Sequence, residues 1–115
     1  MNIEKEKLAV IYDRLAIEEL SSNKLAKRKD KLIMFAKQRG YTPVATYADT
    51  ISGSTSPFNR QQFSKLVSDL PTTKPTAVII DDYTRISRDF GDFYMTSLLL
   101  QAKEVELITM DLTKE

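Results

Sequence analysis

Four arginines carry the chemistry that this sequence suggests: Arg14, Arg60, Arg85 and Arg88. The arginine guanidinium is planar and permanently charged, and it donates paired hydrogen bonds to the oxygens of a phosphate. Several such groups at one place would bind a phosphodiester and would stabilise the extra negative charge of a phosphoryl-transfer transition state. The residue types therefore indicate a phosphate site, on condition that the fold brings these side chains together.

The same arginines also have a simpler interpretation. A charge-rich chain places arginines at the ends of strands by chance, and Arg85 and Arg88 have the carboxylates of Asp81, Asp82 and Asp89 close by in the sequence. On this interpretation the chain is another kind of α/β domain, for instance one that binds a small anion. The two hypotheses differ in geometry, because only the phosphate site requires the guanidinium groups to converge.

The composition limits which other chemistry is available. The 17 basic and 16 acidic residues nearly cancel, so the net charge of +1 creates no overall field that would attract a polyanion. DNA binding would depend on a local cluster. The chain has no cysteine and no histidine, which removes disulfides, the commonest metal ligands and the usual general base near neutral pH. We expect no metal and no cofactor.

The length and the apolar runs favour one domain over residues 1–115. The longest apolar runs, such as residues 77–80 and 97–100, are far too short to cross a bilayer, and the start of the chain is acidic. We therefore expect a cytoplasmic protein with no membrane partner.

A nearly continuous apolar run at residues 8–12 predicts a strand that is buried on both faces. Residues 41–47, rich in Thr, Val and Tyr, predict a second strand, and residues 76–80 and 105–110 predict two more. A helix is predicted between the first two strands, from capping residues at 21–23 to a stop at Gly40. Leu25, Leu32 and Ala36 form its predicted buried face.

Two more helices are predicted after the polar loop at residues 49–57. One runs from about residue 59 to Pro71, which ends it, and has apolar residues at helical spacing: Phe63, Leu66, Val67 and Leu70. The other follows residue 89 and is predicted to bury one row of residues: Phe90, Phe93, Tyr94, Ser97 and Leu98.

Strands that alternate with helices predict an α/β fold, with a mostly parallel four- to five-stranded sheet and helices on both faces. Functional groups in such a sheet collect beyond the carboxyl ends of the strands. We call this edge the rim, and it comprises residues 13–16, 49–53 and 81–88. Three of the arginines fall on the rim, and Arg60 begins the helix behind the loop.

Four motifs occur in an order and spacing that resemble the catalytic domain of serine site-specific recombinases, the resolvase/invertase family. They are Tyr12-x-Arg14-Leu15, Asp49-x-x-Ser52-Gly53, Arg60-x-x-Phe63 and Arg85-Ile86-Ser87-Arg88-Asp89. The resemblance covers about residues 8–110. Each motif is weak alone, but all of them lie in register on one predicted fold.

The resemblance implies a function in site-specific DNA recombination. In that family a serine attacks a DNA phosphate and forms a phosphoserine link without a metal, while arginines neutralise the phosphate. It implies that Arg14, Arg60, Arg85 and Arg88 bind phosphate and that Tyr12 and Asp49 organise the pocket. It also implies DNA as a partner and a homo-oligomer, either a dimer or a tetramer.

The sequence departs from the family pattern at positions that matter chemically. Ala16 stands where the nucleophilic serine is expected, and Thr84 stands where the family has an aspartate. Gln61 replaces a usual proline, and Arg28 or its neighbour replaces a usual glutamine. Because loss of a covalent nucleophile removes orders of magnitude in rate, we expect no DNA cleavage by the family mechanism.

Two explanations of Ala16 stay open: a naturally degenerate relative, which the other departures favour, or a serine exchanged by design. A substitute nucleophile at Ser52 or Ser87 is disfavoured, because small residues at these positions cap or pack in the family pattern. The resemblance also leads us to expect no DNA-reading domain in this chain, which ends at Glu115. The competing functions are a recombinase catalytic domain, whether a fragment or altered at its serine, and a non-catalytic pseudo-recombinase that oligomerises or binds DNA or a recombinase partner.

Overall fold

The computed structural model describes residues 6–16 and 23–110. In this part of the chain four strands form one sheet in the order β2-β1-β3-β4, and every pairing is parallel. The strands are β1 (Leu8–Leu15), β2 (Thr42–Thr50), β3 (Ala77–Ile80) and β4 (Glu106–Thr109). The predicted α/β fold with a parallel sheet is confirmed.

Helices cover both faces of the sheet. They are α1 (Lys24–Gln38), α2 (Gln61–Ser68), α3 (Leu70–Thr73) and α4 (Phe90–Ala102), with 3₁₀ turns at Pro57–Asn59 and Tyr83–Arg85. On one face α1 packs Leu32, Phe35 and Ala36 against the sheet. On the other face α2 and α4 bring in Phe63, Leu66, Phe93 and Leu100.

The central strand β1 explains why its apolar run is nearly continuous. Val10 and Tyr12 belong to the core beneath α2 and α4, whereas Ala9 and Ile11 belong to the core beneath α1. Successive side chains point to opposite faces, and both faces are covered. No helix in the described ranges is long and apolar enough to cross a membrane.

The strands β1 and β2 extend beyond their predicted ends at residues 12 and 47. The parallel pairing continues through Arg14 opposite Asp49 and Leu15 opposite Thr50. Polar residues ended the predicted strands too early, because their side chains lie buried at the rim instead of marking a turn. The extension places Arg14 and Asp49 on rigid strands.

The end of α1 at Gly40 is confirmed. Gly40 has φ +84°, and its amide donates to the Lys37 carbonyl at 3.0 Å while the Tyr41 amide donates to the Ala36 carbonyl at 2.9 Å. This is the Schellman arrangement, in which a left-handed glycine closes the helix. At the other end Asn23 makes no side-chain cap, and the predicted caps at residues 21 and 22 lie outside the described residues.

The prediction that Pro71 ends the second helix was wrong. The helix α2 ends at Ser68, and Pro71 lies in the first turn of the short helix α3. A proline lacks an amide hydrogen, and the first helical turn is where that donor has no partner in any case. The proline therefore starts a helix here.

The predicted buried face of α4 was also wrong for most of its residues. The helix buries Phe93, Thr96 and Leu100, while Phe90, Tyr94 and Leu98 are exposed. The sequence is apolar on nearly every side of this helix, so apolar spacing could not select the core face. Thr96 is tolerated in the core because its hydroxyl donates to the Asp92 carbonyl at 2.8 Å.

Candidate functional site

Arg14 lies at the end of β1 and is almost fully buried. Its Nε donates to the Thr84 carbonyl at 3.2 Å, and its Nη1 donates to the Ile51 carbonyl at 3.0 Å. These acceptors come from the chain after β3 and from the chain after β2. The guanidinium therefore joins three segments of the rim.

The predicted arginines converge on Arg14. Burial lowers the pKa of the Arg14 guanidinium, and the positive charges of three neighbours lower it further: Arg85, Arg60 and Arg88, in decreasing order. Like charges shift a pKa in this way only when they are close. We call these four residues the arginine pocket. The convergence favours the phosphate hypothesis over scattered surface charges.

Arg60 is the most deeply buried member of the pocket, with no exposed surface. Its Nε donates to the Thr55 carbonyl at 3.1 Å, and its Nη1 donates to the Tyr12 hydroxyl at 3.2 Å and to the Arg85 carbonyl at 2.6 Å. Its Nη2 is buried without a hydrogen-bond partner among the described residues. An unsatisfied buried donor is unfavourable by about 1–3 kcal/mol, which an anion would relieve.

Tyr12 and Asp49 hold Arg60 in place. The Tyr12 hydroxyl donates to Asp49 Oδ2 at 2.8 Å while accepting from Arg60. Asp49 also accepts the amide hydrogens of Gln62 at 2.8 Å and Phe63 at 2.9 Å, which are free donors in the first turn of α2. A chain of hydrogen bonds thus runs from the start of α2 through Asp49 and Tyr12 to the pocket.

Burial raises the pKa of the Tyr12 phenol above its ordinary range, with Arg60 opposing the shift and Asp49 adding to it. The phenol is therefore neutral at physiological pH. It donates one hydrogen bond and accepts another, which is the role that this network requires.

Arg85 lies among carboxylates. Its Nη1 donates to the Arg14 carbonyl at 3.0 Å, and its Nε lies 3.8 Å from Asp13 Oδ1. Its Nη2 lies 3.8 Å from Asp81 Oδ2 and 4.0 Å from Asp82 Oδ2. The simpler interpretation of Arg85 was that it pairs with Asp81 and Asp82. The structure shows both ion pairs at long distances, and Arg85 also belongs to the arginine pocket.

Sequence reasoning did not select Asp13 and Arg28 as site residues. Asp13 is buried and accepts the Arg14 amide hydrogen at 2.8 Å, and Arg28 Nε approaches its carboxylate at 2.9 Å. Arg28 Nη2 also reaches the Arg14 carbonyl at 3.4 Å. The position of Asp13, directly after a buried strand, was the available signal. The pairing with Arg28 joins β1 to α1, so no local sequence pattern could have indicated it.

Arg88 is the exposed member of the pocket, and it packs on Gly53. A Cβ atom at Gly53 would lie 2.9 Å from Cγ and 3.0 Å from Nε of Arg88, and 3.1 Å from Nη2 of Arg14. The Arg88 amide donates to the Gly53 carbonyl at 3.3 Å. The glycine therefore allows the loop to approach both guanidinium groups closely.

The hydroxyl groups of the rim make local hydrogen bonds. Ser52 Oγ lies 2.9 Å from Ser54 Oγ, and Ser87 Oγ donates to Asp92 at 3.1 Å while accepting the Asp89 amide hydrogen at 3.0 Å. Thr84 bonds to the Asp82 carboxylate through its hydroxyl and its amide. The hydroxyls of Ser52 and Ser87 are therefore engaged in local hydrogen bonds, and the residue that caps α4 is Asp89.

Ala16 follows β1 directly and is half-buried. It lies two positions beyond Arg14, whose carbonyl accepts hydrogen bonds from Arg85 and Arg28. Among the described residues no group of three or more carboxylates is arranged to hold a metal ion.

The fold corresponds to that of known proteins. The chain matches the family described as Resolvase, N terminal domain, over residues 9–115. It belongs to that family, and its domain is recombinase-like. Among curated proteins no sequence matches the chain.

Three solved structures show the same fold. The C-terminal catalytic domain of ISC1926 TnpA, an IS607-like serine recombinase, is 23% identical with a TM-score of 0.79, over 93% of this chain and 72% of that one. The N-terminal catalytic domain of TP901-1 integrase is 22% identical with a TM-score of 0.77, over 93% and 79%. A resolvase family site-specific recombinase from Streptococcus pneumoniae is 22% identical with a TM-score of 0.73, over 92% and 73%.

The hydrogen-bond network predicts the effect of Tyr12→Phe. Removal of the hydroxyl takes away one contact to Asp49 and one to Arg60, so we expect the free energy of unfolding at neutral pH to fall by about 2 kcal/mol. Urea denaturation followed by circular dichroism measures this loss. An unchanged urea concentration at the midpoint of unfolding would show that the Tyr12 hydroxyl does not stabilise the fold, and it would contradict the network.

The same substitution changes the alkaline behaviour. Because the folded-state pKa of Tyr12 lies above the unfolded value of about 10, the unfolded chain ionises first, and stability falls as the pH rises above about 10. The Tyr12→Phe variant should lose less stability over that range than the unaltered chain. Some loss will persist, because burial and its hydrogen bond to Asp69 raise the pKa of Tyr47 to about 12. If both proteins lost the same stability above a pH of about 10, the raised pKa of Tyr12 would be contradicted.

Proposed function

We propose that this domain binds the phosphodiester backbone of DNA in the arginine pocket and acts in DNA recombination without cutting the strand itself. The observation that carries the proposal is the buried, unpartnered Nη2 of Arg60 among converging guanidinium groups. Membership of the resolvase family supplies the macromolecule that carries such phosphates.

The electrostatics of the pocket support an anionic ligand. Neutral carbonyl and hydroxyl oxygens, not carboxylates, accept the hydrogen bonds of Arg14 and Arg60 that are described above. Within the described ranges the positive charges of Arg14 and Arg60 are therefore not neutralised by a carboxylate in direct contact, and they repel each other at close range. A phosphodiester would place its negative charge between the guanidinium groups and accept hydrogen bonds from donors that the protein leaves unpartnered, such as Nη2 of Arg60. Binding then relieves both the repulsion and the unsatisfied donor.

Ala16 accounts for the absence of cleavage in this proposal. A methyl group has no lone pair with which to attack phosphorus, and the nearby serines are engaged in local hydrogen bonds. In a serine at this position, Oγ would bond to phosphorus, the 3′ oxygen would leave as a hydroxyl, and the serine proton would pass to that oxygen or to solvent. The arginine pocket would stabilise the charge of the transition state.

Ala16→Ser tests this account directly. We expect the serine variant to form a covalent protein–DNA adduct on supercoiled DNA, and we expect the unaltered chain to form none. The adduct is measured as a protein band that shifts on denaturing gels and collapses after nuclease treatment. Ala16→Gly is the matched control, since it changes the same position without adding a hydroxyl.

Two outcomes would contradict the proposal. An adduct formed by the unaltered chain would show that another residue attacks phosphorus. No adduct from the folded serine variant, at any protein concentration, would count against a recombinase pocket at this rim.

Self-association through α4 is a second function that a specific observation supports. Residues on the outer side of this helix are large, apolar and exposed, and they are Phe90, Tyr94, Met95, Leu98 and Leu99. Contiguous apolar patches of this kind mark interaction sites in soluble proteins. A homo-oligomer, either a dimer or a tetramer, would bury this face.

Leu99→Glu should weaken the oligomer, because a carboxylate in an apolar interface is unfavourable when it is desolvated. Sedimentation measures the change as a shift toward the monomer. Met34→Glu is the matched control, because Met34 is an equally apolar residue that is 61% exposed on α1. A strictly monomeric unaltered chain, or equal dissociation by both variants, would contradict a specific role for α4.

A further inference from the structure

The charge of this protein is segregated onto α1. The helix contains six of the 17 lysines and arginines and one of the 16 acidic residues, so it carries +5 while the rest of the chain carries −4. Five of those basic residues fall within residues 24–31, which we call the basic half of α1. The net charge of the whole chain is close to zero, although the surface of α1 is strongly positive.

The basic half of α1 begins at the arginine pocket. Arg28 pairs with Asp13 at 2.9 Å and reaches the Arg14 carbonyl at 3.4 Å, so its side chain belongs to both surfaces. Lys29 and Asp13 line one small cavity of about 160 Å³ between α1 and the sheet. The basic half of α1 therefore adjoins the arginine pocket through Arg28, whose own charge is paired with Asp13.

The lysines on either side of Arg28 are exposed, and the structure shows no ion pair that neutralises them among the described residues. Lys27, Lys29 and Lys31 are exposed, and within the described ranges no carboxylate lies within 4.0 Å of their ammonium groups as an ion pair. Lys27 and Lys31 are one helical turn apart, so they lie side by side on the same face. They form a short cationic track leading away from the pocket.

This arrangement is unfavourable for the helix itself. Cations near a helix N-terminus oppose the helix dipole, and like charges four residues apart repel each other. The first turn of α1 contains no acidic residue, and Asn23 supplies no side-chain cap. A polyanion along the basic half would remove both penalties. The electrostatic pattern is that of a surface suited to repeated phosphates.

We infer that the basic half of α1 is a second DNA-backbone contact, which holds the strand where it leaves the arginine pocket. This inference rests on the proposed function and adds the path of the bound strand. Lys27 and Lys31 contact phosphates as point charges, whereas the pocket arginines bind a single phosphodiester through their planar guanidinium groups. The contact is independent of DNA sequence.

The test compares variants by fluorescence anisotropy with a labelled linear duplex over a series of salt concentrations. The Lys27→Gln/Lys31→Gln double variant removes two exposed charges of the basic half. The matched control, Lys37→Gln/Lys103→Gln, removes two exposed lysines at the opposite edge of the sheet. A third protein, Arg88→Gln, probes the pocket. Glutamine has nearly the helix propensity of lysine, and circular dichroism confirms that each variant is folded.

Each lost phosphate contact lowers the slope of log affinity against log salt by about one. We expect the slope to fall by about two for Lys27→Gln/Lys31→Gln and by about one for Arg88→Gln. The first variant should also bind roughly tenfold more weakly at low salt. The control should retain the slope and affinity of the unaltered chain.

The outcomes separate this inference from the proposed function. A reduced slope for Arg88→Gln with an unchanged slope for Lys27→Gln/Lys31→Gln overturns the α1 contact and leaves the pocket in place. Equal losses in the double variant and its control also overturn it, since net charge alone would then explain binding. If the unaltered chain does not bind the duplex at low salt, both the α1 contact and the proposed function are wrong.

Discussion

The buried guanidinium of Arg60 is the constraint on which the rim depends. A fully buried cation is tolerated only when its donors are satisfied, and here Tyr12 in β1, Thr55 in the loop after β2 and Arg85 after β3 each supply an acceptor. One side chain therefore fixes the relative positions of three segments. Asp49 extends the arrangement to the start of α2. One donor of Arg60, Nη2, stays buried without a hydrogen-bond partner among the described residues.

Much of the fold and the outline of the site could be predicted from the sequence. Parallel strands all end at one edge, so the positions of Arg14 and Arg85 after two apolar runs sufficed to place them on the rim. The family motifs added Tyr12 and Asp49. The pairing of Asp13 with Arg28 could not be predicted, because it depends on side-chain positions across a helix–sheet contact. The face of α4 could not be predicted either, since apolar residues occur on all its sides and tertiary packing alone selects Thr96 for the core.

The site separates two functions that a recombinase active site normally combines. In the proposed function, the four clustered guanidinium groups would bind a phosphate, whereas position 16 offers only a methyl group. Phosphate affinity depends on the first, and bond cleavage depends on the second. In the proposed function, a domain with this combination would bind DNA without cutting it. The proposed contact on the basic half of α1 and the proposed interface on α4 would add a second DNA contact and a surface for another copy of the chain.

The convergence of the guanidinium groups on one phosphodiester is best measured by nuclear magnetic resonance of the arginine side chains, during titration with a dinucleotide that contains a single phosphodiester. The account predicts that the Nε–H resonances of Arg14, Arg60, Arg85 and Arg88 shift together and give one dissociation constant, while that of Arg39, exposed at the far end of α1, does not move. A shift confined to Arg39, or separate dissociation constants for the four, would contradict it.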